Sequence, residues 1–158
     1  MRTAGGTYEA EQAVVCAGAW LTKLLPEFAP KITVTRQLLF WFGVDGSYSD
    51  FTPERFPVFI WSFRTTRDAA GYGSIYGFPA IDGPSGGVKV ASGAYGEQFD
   101  PEGDRPGASE KETADFYESC IRRRIPALTQ PVMKSAMCLY AVTPDSDFIV
   151  DRLPGTEQ

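Results

Sequence analysis

The chain has 158 residues, of which 43% are hydrophobic and 13% aromatic, with a formal net charge of -5 and a pI near 4.8. This composition is typical of a globular domain and excludes a disordered segment. The acidic balance argues against nucleic acid as a partner, because phosphate binding needs a concentrated basic surface.

Residues 1–30 predict a short polar arm followed by one strand–turn–helix unit. Residues 1–12 suit a hairpin, and the apolar run from Ala13 to Ala17 predicts a strand covered on both faces, as in a parallel sheet. A short helical pattern runs from Trp20 to Leu25, and Pro26 stops it. A parallel strand needs partners from other crossover units. No second such unit follows, so we interpret this one as part of a larger architecture.

Strands outnumber helices in the remainder of the chain. Alternating or apolar runs predict strands over residues 32–42, 56–63, 72–78 and 88–95, from 133 to a Pro-Asp turn at 144–145, and over 147–151. Ser109 to Glu112 has the form of a capping box and starts a helix over 109–125, which Pro126 ends. We therefore expect an α+β fold, a mostly antiparallel sheet with one packed helix, plus the strand–helix piece from residues 1–30.

The residue types that are missing or unpaired exclude several kinds of site. The sequence contains no histidine, which excludes Ser-His-Asp and Cys-His catalysis within the chain. Cys16, Cys120 and Cys138 form no Cys-x-x-Cys pair, which argues against a disulfide framework and a zinc site. No apolar run reaches the roughly 18 residues of a membrane span, and the first residues form no signal peptide. We expect a cytoplasmic protein with no metal, membrane or nucleic-acid partner.

The strand near residue 138 carries two reactive groups on one face. Side chains alternate along a strand, so Lys134, Ala136, Cys138 and Tyr140 share a face, and Met137 lies on the other. A thiol and a phenol are therefore neighbours beside a small residue. The alternative interpretation is structural, since free Cys is often a small buried apolar residue and Tyr is common in half-buried strands.

The strand over 88–95 places one cation among small residues. Lys89 shares its face with Gly87, Ala91 and Gly93, while the flanking valines share the other face. A face of small residues leaves room for a flat ligand to lie close to the backbone. The alternative is a solvent-facing lysine on an edge strand, a common defence against edge-to-edge pairing.

Four stretches of the chain carry a resemblance to a known family. They are Val14 to Trp20 (Val-Val-Cys-Ala-Gly-Ala-Trp), Tyr76 to Pro79 (Tyr-Gly-Phe-Pro), Gly86 to Val90 (Gly-Gly-Val-Lys-Val) and Cys138 to Asp151 (Cys-Leu-Tyr-x-x-Thr-Pro-Asp-x-x-Phe-Ile-Val-Asp). On these motifs, which follow the family's order, the chain resembles the monomeric sarcosine oxidase and N-methyltryptophan oxidase family of flavoenzymes.

The resemblance implies a cofactor and assigns roles to four residues. It implies FAD bound covalently through Cys138 by a thioether, and places Lys89 beside the flavin ring, where the lysine promotes the reaction of reduced flavin with oxygen. The role is physically reasonable, because a fixed cation stabilises the negative charge that develops during electron transfer to oxygen. Tyr76 and Tyr140 match tyrosines that line the substrate pocket.

The same resemblance assigns the strand–helix piece to the cofactor. It implies that Ala17, Gly18 and Trp20 contact FAD, with Gly18 permitting close backbone approach and a helix start at Trp20 offering free amide groups. It also implies three domain assignments: a partial FAD-binding domain over 1–30, a substrate domain over 31–143, and a return toward the FAD domain over 144–158.

The chain departs from the family pattern in three respects. The family commonly has a His shortly after the Lys, where this chain has Ala91 to Ala94, and the spacing from Tyr76 to Lys89 is slightly longer than in sarcosine oxidase. The Gly-x-Gly-x-x-Gly unit that binds FAD is missing, and Gly71 to Tyr76 imitates it poorly, because it lacks the last glycine and the following helix. We therefore expect a portion of a longer enzyme. This chain alone is predicted to bind FAD weakly or not at all, with no turnover.

Three functions follow from these patterns. In the first, the full enzyme is an FAD-dependent amine oxidase that takes a hydride from the carbon beside a secondary amine or an N-methyl amino acid and returns the electrons to molecular oxygen as hydrogen peroxide. In the second, the chain is one subunit of a split enzyme, and a separate chain supplies the nucleotide-binding half. In the third, it is a non-catalytic module that binds a small ligand near Tyr76 and Tyr140.

Overall fold

The computed structural model describes residues 1–64, 72–93 and 97–153. The chain divides into two compact units, the first formed by Met1–Thr33 with Ala141–Gln158 and the second by Val34–Tyr140. Among the described residues, no helix has both the length and the apolar character that crossing a membrane requires.

Most regular elements in the described part of the first unit are short. Strands β1 (Arg2–Thr3) and β2 (Gly6–Thr7) form an antiparallel hairpin, as predicted for the arm. A 3-10 turn over Gly18–Trp20 leads into helix α1 (Leu21–Leu24), and a further 3-10 segment covers Pro26–Lys31. Pro26 ends the α-helix but does not end the helical path, because proline is well accepted in the first turn of a new helical segment.

Two strands predicted in this unit do not form. Residues 13–17 and 147–151 have no strand conformation, and the exposed fractions of Val14, Phe148 and Val150 are 88%, 100% and 97%. A strand needs partners for its backbone N–H and C=O groups, and no described residue pairs with either run. Both predictions are therefore wrong for this chain, although the apolar character that prompted them is real.

The second unit is built on a five-stranded sheet. Its strands are β3 (Thr33–Val44), β4 (Phe59–Arg64), β5 (Tyr72–Phe78), β6 (Val88–Ser92) and β7 (Leu128–Val142). Their order across the sheet is β4-β5-β6-β3-β7, and the pairs β4–β5, β5–β6 and β6–β3 are antiparallel. The predicted α+β class with a mostly antiparallel sheet is confirmed. Residues 94 and 95, the end of the predicted strand 88–95, lie outside the described residues.

Helix α2 (Glu110–Phe116) begins at the predicted capping box. The Glu112 carboxylate accepts from the Ser109 N–H at 2.8 Å, and the Ser109 hydroxyl accepts from the Glu112 N–H at 3.3 Å. The helix predicted over 109–125 is too long. After Phe116 it widens into a π-helical turn over Tyr117–Ile121, where the Arg122 N–H bonds the Tyr117 carbonyl at 3.0 Å.

The hydrophobic core lies on one face of the sheet. Phe40 and Phe42 project from β3 into it, and the Phe40 ring stacks on Phe116 of α2 with centroids 4.6 Å apart. Val88 and Val90 of β6 are fully buried in the same core. Burying each of these side chains contributes about 1.5–3 kcal/mol. The helix therefore covers one face of the sheet, and residues that alternate with the core positions lie on the other.

Candidate functional site

Strand β6 places Lys89 on the face opposite the core. Lys89 is directly opposite Trp41 of β3 on one side and Phe78 of β5 on the other. Residues directly opposite in an antiparallel pair share a face and lie close together. The Lys89 ammonium is 5.4 Å from the centroid of the Trp41 ring and 5.0 Å from that of Phe78, both within cation–π range. Lys89 is therefore a half-buried cation between two aromatic rings, on an inner strand and not on an edge.

Tyr76 and Tyr140 meet over this same face. Tyr76 is directly opposite Ala91 of β6, which places it on the Lys89 face. Its hydroxyl oxygen lies 3.3 Å from that of Tyr140, although β6 and β3 separate the two tyrosines' strands. Burial raises the pKa of Tyr76 above its ordinary value, and the hydrogen bond with Tyr140 and the nearby Cys138 raise it further. Tyr76 is thus a neutral phenol at physiological pH.

Cys138 lies on β7 with a free, half-buried thiol. It shares its face with Tyr140, two residues further along, and with Lys134, whose ammonium is 4.7 Å from the centroid of the Trp41 ring. On the opposite face of β7, the Met137 sulfur accepts from Arg36 Nε at 3.2 Å. The alternation predicted for this strand is therefore confirmed. We call the side of the sheet that carries Lys89, Trp41, Tyr76, Cys138 and Tyr140 the lysine face.

The structure thus brings together the four residues predicted for this site. Lys89, Cys138, Tyr76 and Tyr140 come from three strands and lie on one face of one sheet. Sequence reasoning missed Trp41, which sits between two core phenylalanines along β3. Its alternation with them was visible, but its position opposite Lys89 depends on a pairing between strands distant in the sequence.

Ala17, Gly18 and Trp20 belong to the first unit. Gly18 has φ of +52°, a conformation that glycine adopts without strain, and begins the 3-10 turn. The Trp20 N–H donates to the Ala17 carbonyl at 3.0 Å. The prediction of a free amide at a helix start on Trp20 is therefore wrong, because the turn uses that amide and α1 begins one residue later.

The segment that imitates a nucleotide-binding loop is part of the sheet. Residues from Tyr72 onward form β5, so the described part of this segment has no turn or helix at which a phosphate would bind. Gly71 lies outside the described residues. Where the family commonly has a His, Ala91 is fully buried and Ala94 lies outside the described residues.

Comparison with known proteins defines the class of protein to which this chain belongs. Residues 1–157 match the family described as FAD dependent oxidoreductase, and the chain belongs to this family. It is 38% identical to monomeric sarcosine oxidase from Streptomyces avermitilis over 98% of this chain and 38% of that protein. It is 32% identical to N-methyl-L-tryptophan oxidase from Salmonella agona over 99% of this chain and 39% of that protein.

A solved structure shows the same fold. The crystal structure of the deglycating enzyme fructosamine oxidase from Aspergillus fumigatus (Amadoriase II) matches 96% of this chain and 36% of its own, with a TM-score of 0.65 and 18% identity. This chain spans about two fifths of the length of the curated relatives that it matches.

The side chains of the lysine face fit a flavin in their chemistry. Cys138 supplies a free thiol, Lys89 a cation and Trp41 an aromatic surface. Strands β3 to β7 contain no Asp or Glu. A ring system that gains negative charge on reduction would therefore meet no repelling carboxylate from the strands themselves.

Proposed function

We propose that this chain forms the substrate domain of an FAD-dependent amine oxidase that acts on a secondary amine or an N-methyl amino acid. The observation that carries the proposal is the grouping of Lys89, Cys138, Tyr76 and Tyr140 on one sheet face. Relatives named as sarcosine and N-methyl-L-tryptophan oxidases support this class of substrate. In this proposal, residues 1–30 and 144–158 belong to an FAD-binding domain, and residues 31–143 to the substrate domain.

FAD, when bound, supplies the capacity to accept a hydride from the carbon beside the amine and to reduce molecular oxygen to hydrogen peroxide. Cys138 would hold it through a thioether, since the thiol is free and only half-buried. Ala17, Gly18 and Trp20 are proposed to contact FAD as well, although the Trp20 amide is used within the 3-10 turn.

Lys89 supplies a fixed positive charge. Its ammonium is held between the Trp41 and Phe78 rings, and a preorganised cation stabilises negative charge without having to reorient. Lys89 would therefore promote the step in which electrons pass to oxygen. It would contribute less to substrate binding.

Tyr76 and Tyr140 line the position that the substrate would occupy. Because the raised pKa of Tyr76 keeps it neutral, the pair offers phenol oxygens that accept hydrogen bonds from an amine N–H while their rings exclude water. Neither residue has to transfer a proton in this role; they orient the amine.

A chimera tests the proposal. The matching segment of the Streptomyces avermitilis monomeric sarcosine oxidase would be replaced by this chain, and FAD content and peroxide formation with sarcosine and N-methyl-L-tryptophan would be measured. We expect flavin that stays with the denatured protein, and peroxide from at least one amine. A Cys138→Ser chimera should release its flavin on denaturation, and Lys89→Met should slow reoxidation by about 100-fold. A chimera that folds and binds FAD but oxidises neither amine would contradict the substrate class.

The exposed apolar runs favour a second candidate, a subunit of a split enzyme. Val14, Phe148 and Val150 are almost fully exposed, and apolar segments of this kind normally lie against further polypeptide. The supporting result would be co-purification of this chain with a separate chain that carries a Gly-x-Gly-x-x-Gly motif, together with FAD bound only by the complex.

A further inference from the structure

The five strands of the sheet have an unusual charge distribution. The chain as a whole has 20 acidic and 15 basic residues, but β3 to β7 contain four basic residues and no acidic one. Arg36 faces the helix and forms an ion pair with Glu112, and Arg64 ends the edge strand β4. The other two, Lys89 and Lys134, both contact the Trp41 ring.

The two lysines lie close to each other because they share that ring. With distances of 5.4 and 4.7 Å to the Trp41 centroid, the two ammonium groups are at most about 10 Å apart, comparable to the screening length at ordinary ionic strength. Neither has an ion-pair partner within the part of the chain that the structure describes. By contrast, Lys111 is paired with Asp115 at 2.6 Å.

Cation–π contacts hold these groups but do not neutralise them. Such contacts at exposed or half-exposed sites are weak, and the positive charge remains available to a ligand. Lys89 and Lys134 approach the ring from β6 and β7, the strands on either side of β3, so an anion near Trp41 can be reached by both flexible side chains.

We propose that Lys89 and Lys134, held by the Trp41 ring, form a binding site for a small oxyanion on the lysine face. No carboxylate of β3 to β7 opposes the anion. This binding needs no flavin, so the oxyanion site can be tested independently of the proposed oxidase function.

The test uses this chain with sodium sulfate as the probe, at constant ionic strength balanced with sodium chloride. The indole N–H resonance of Trp41, assigned with Trp41→Phe, is followed by NMR. We expect a saturable shift for Trp41 and none for Trp20 or Trp61. Removing one ammonium group should weaken sulfate binding at least about fivefold, the effect of one charge contact at about 4 Å in water.

Lys89→Met and Lys134→Met test the two cations, and Lys111→Met is the matched control. Lys111 is an exposed lysine of α2, the helix on the opposite face, and its loss should leave sulfate binding unchanged. Lys134 is exposed, so its variant should fold even if Lys89→Met does not. A shift that grows linearly with sulfate, or one that saturates equally in wild type and Lys134→Met, would overturn the site.

Discussion

The hydroxyl oxygens of Tyr76 and Tyr140 lie 3.3 Å apart, although their strands are separated by two others in the sheet. Neighbouring strands are about 4.8 Å apart, so this hydrogen bond crosses over β6 and β3. It connects β5 with β7, which are not neighbours in the sheet. It also brings the substrate-pocket tyrosines of the proposed function onto the face that carries Lys89.

Replacing Tyr140 by Phe tests this connection. The change removes the hydrogen-bond partner of a half-buried hydroxyl while keeping the ring, so we expect the free energy of unfolding to fall by about 1 kcal/mol. Urea unfolding measures it. The control is Tyr8→Phe, because Tyr8 is exposed. Loss of its hydroxyl should change the free energy of unfolding by less than about 0.5 kcal/mol. Equal effects of the two substitutions would show that the hydrogen bond adds nothing.

The raised pKa of Tyr76 predicts a loss of stability in alkali. Burial favours the neutral phenol in the folded state, so between the unfolded pKa near 10 and the higher folded pKa the unfolded chain releases more protons. The stabilisation is fully present below about pH 10 and is lost as the pH rises above it. Tyr76→Phe should flatten this decline. The measurement is urea unfolding from pH 8 to pH 11, with Tyr8→Phe as the control that keeps the wild-type slope.

The sequence predicted those features that depend only on residues close together in the chain. The alternation of Cys138 and Tyr140 against Met137 requires only that a strand form, and the capping box of Ser109 and Glu112 requires only residues three apart. The sequence therefore predicted which side chains of β7 share a face and where α2 begins.

Pairing between distant segments could not be predicted in this way. Trp41 became a neighbour of Lys89 through the register of β3 with β6, which the sequence of neither strand specifies alone. For Ala13 to Ala17 the apolar run was visible, but a strand also needs a partner, and none of the described residues provides it. The roles of Lys89 and Cys138 toward FAD stay predictions, because they depend on a cofactor that is not part of the chain.

The Arg36–Glu112 ion pair predicts a loss of stability in acid. The Arg36 hydrogen bond, assisted by the Ser109 N–H, lowers the pKa of Glu112 to about 2. A lowered folded pKa stabilises the fold above the unfolded value, near 4.5, and this contribution is lost as the pH falls toward about 2. Glu112→Gln keeps a capping side chain but removes the charge, and should cost about 0.5–1 kcal/mol at pH 7.

Urea unfolding of Glu112→Gln at pH 7 and pH 2 measures this contribution. The difference from wild type should shrink at pH 2, where Glu112 is partly protonated. Glu118→Gln is the matched control, since Glu118 forms an exposed i,i+4 pair with Arg122 on the same helical segment. A Glu112→Gln effect that is the same at both pH values would indicate that lost packing, and not charge, is responsible.

Gly87 determines how β6 enters the sheet next to β3. Its φ is +73°, and a Cβ at this position would lie 2.7 Å from the Phe42 carbonyl oxygen and 3.0 Å from the Met133 sulfur. Gly87→Ala should therefore cost about 1–3 kcal/mol for the clash, in addition to about 1–2 kcal/mol for the backbone conformation.

Gly46→Ala is the matched control for this prediction. Gly46 also has a positive φ, +103°, but nothing lies within 4 Å of a Cβ built there, so only the backbone cost applies. The difference between the two variants in urea unfolding isolates the contact with β3. Since Gly87 lies two residues before Lys89, we also expect Gly87→Ala, and not Gly46→Ala, to shift the Trp41 indole resonance. An unshifted Trp41 resonance in a destabilised Gly87→Ala chain would mean that the clash is absorbed without moving Lys89 relative to Trp41.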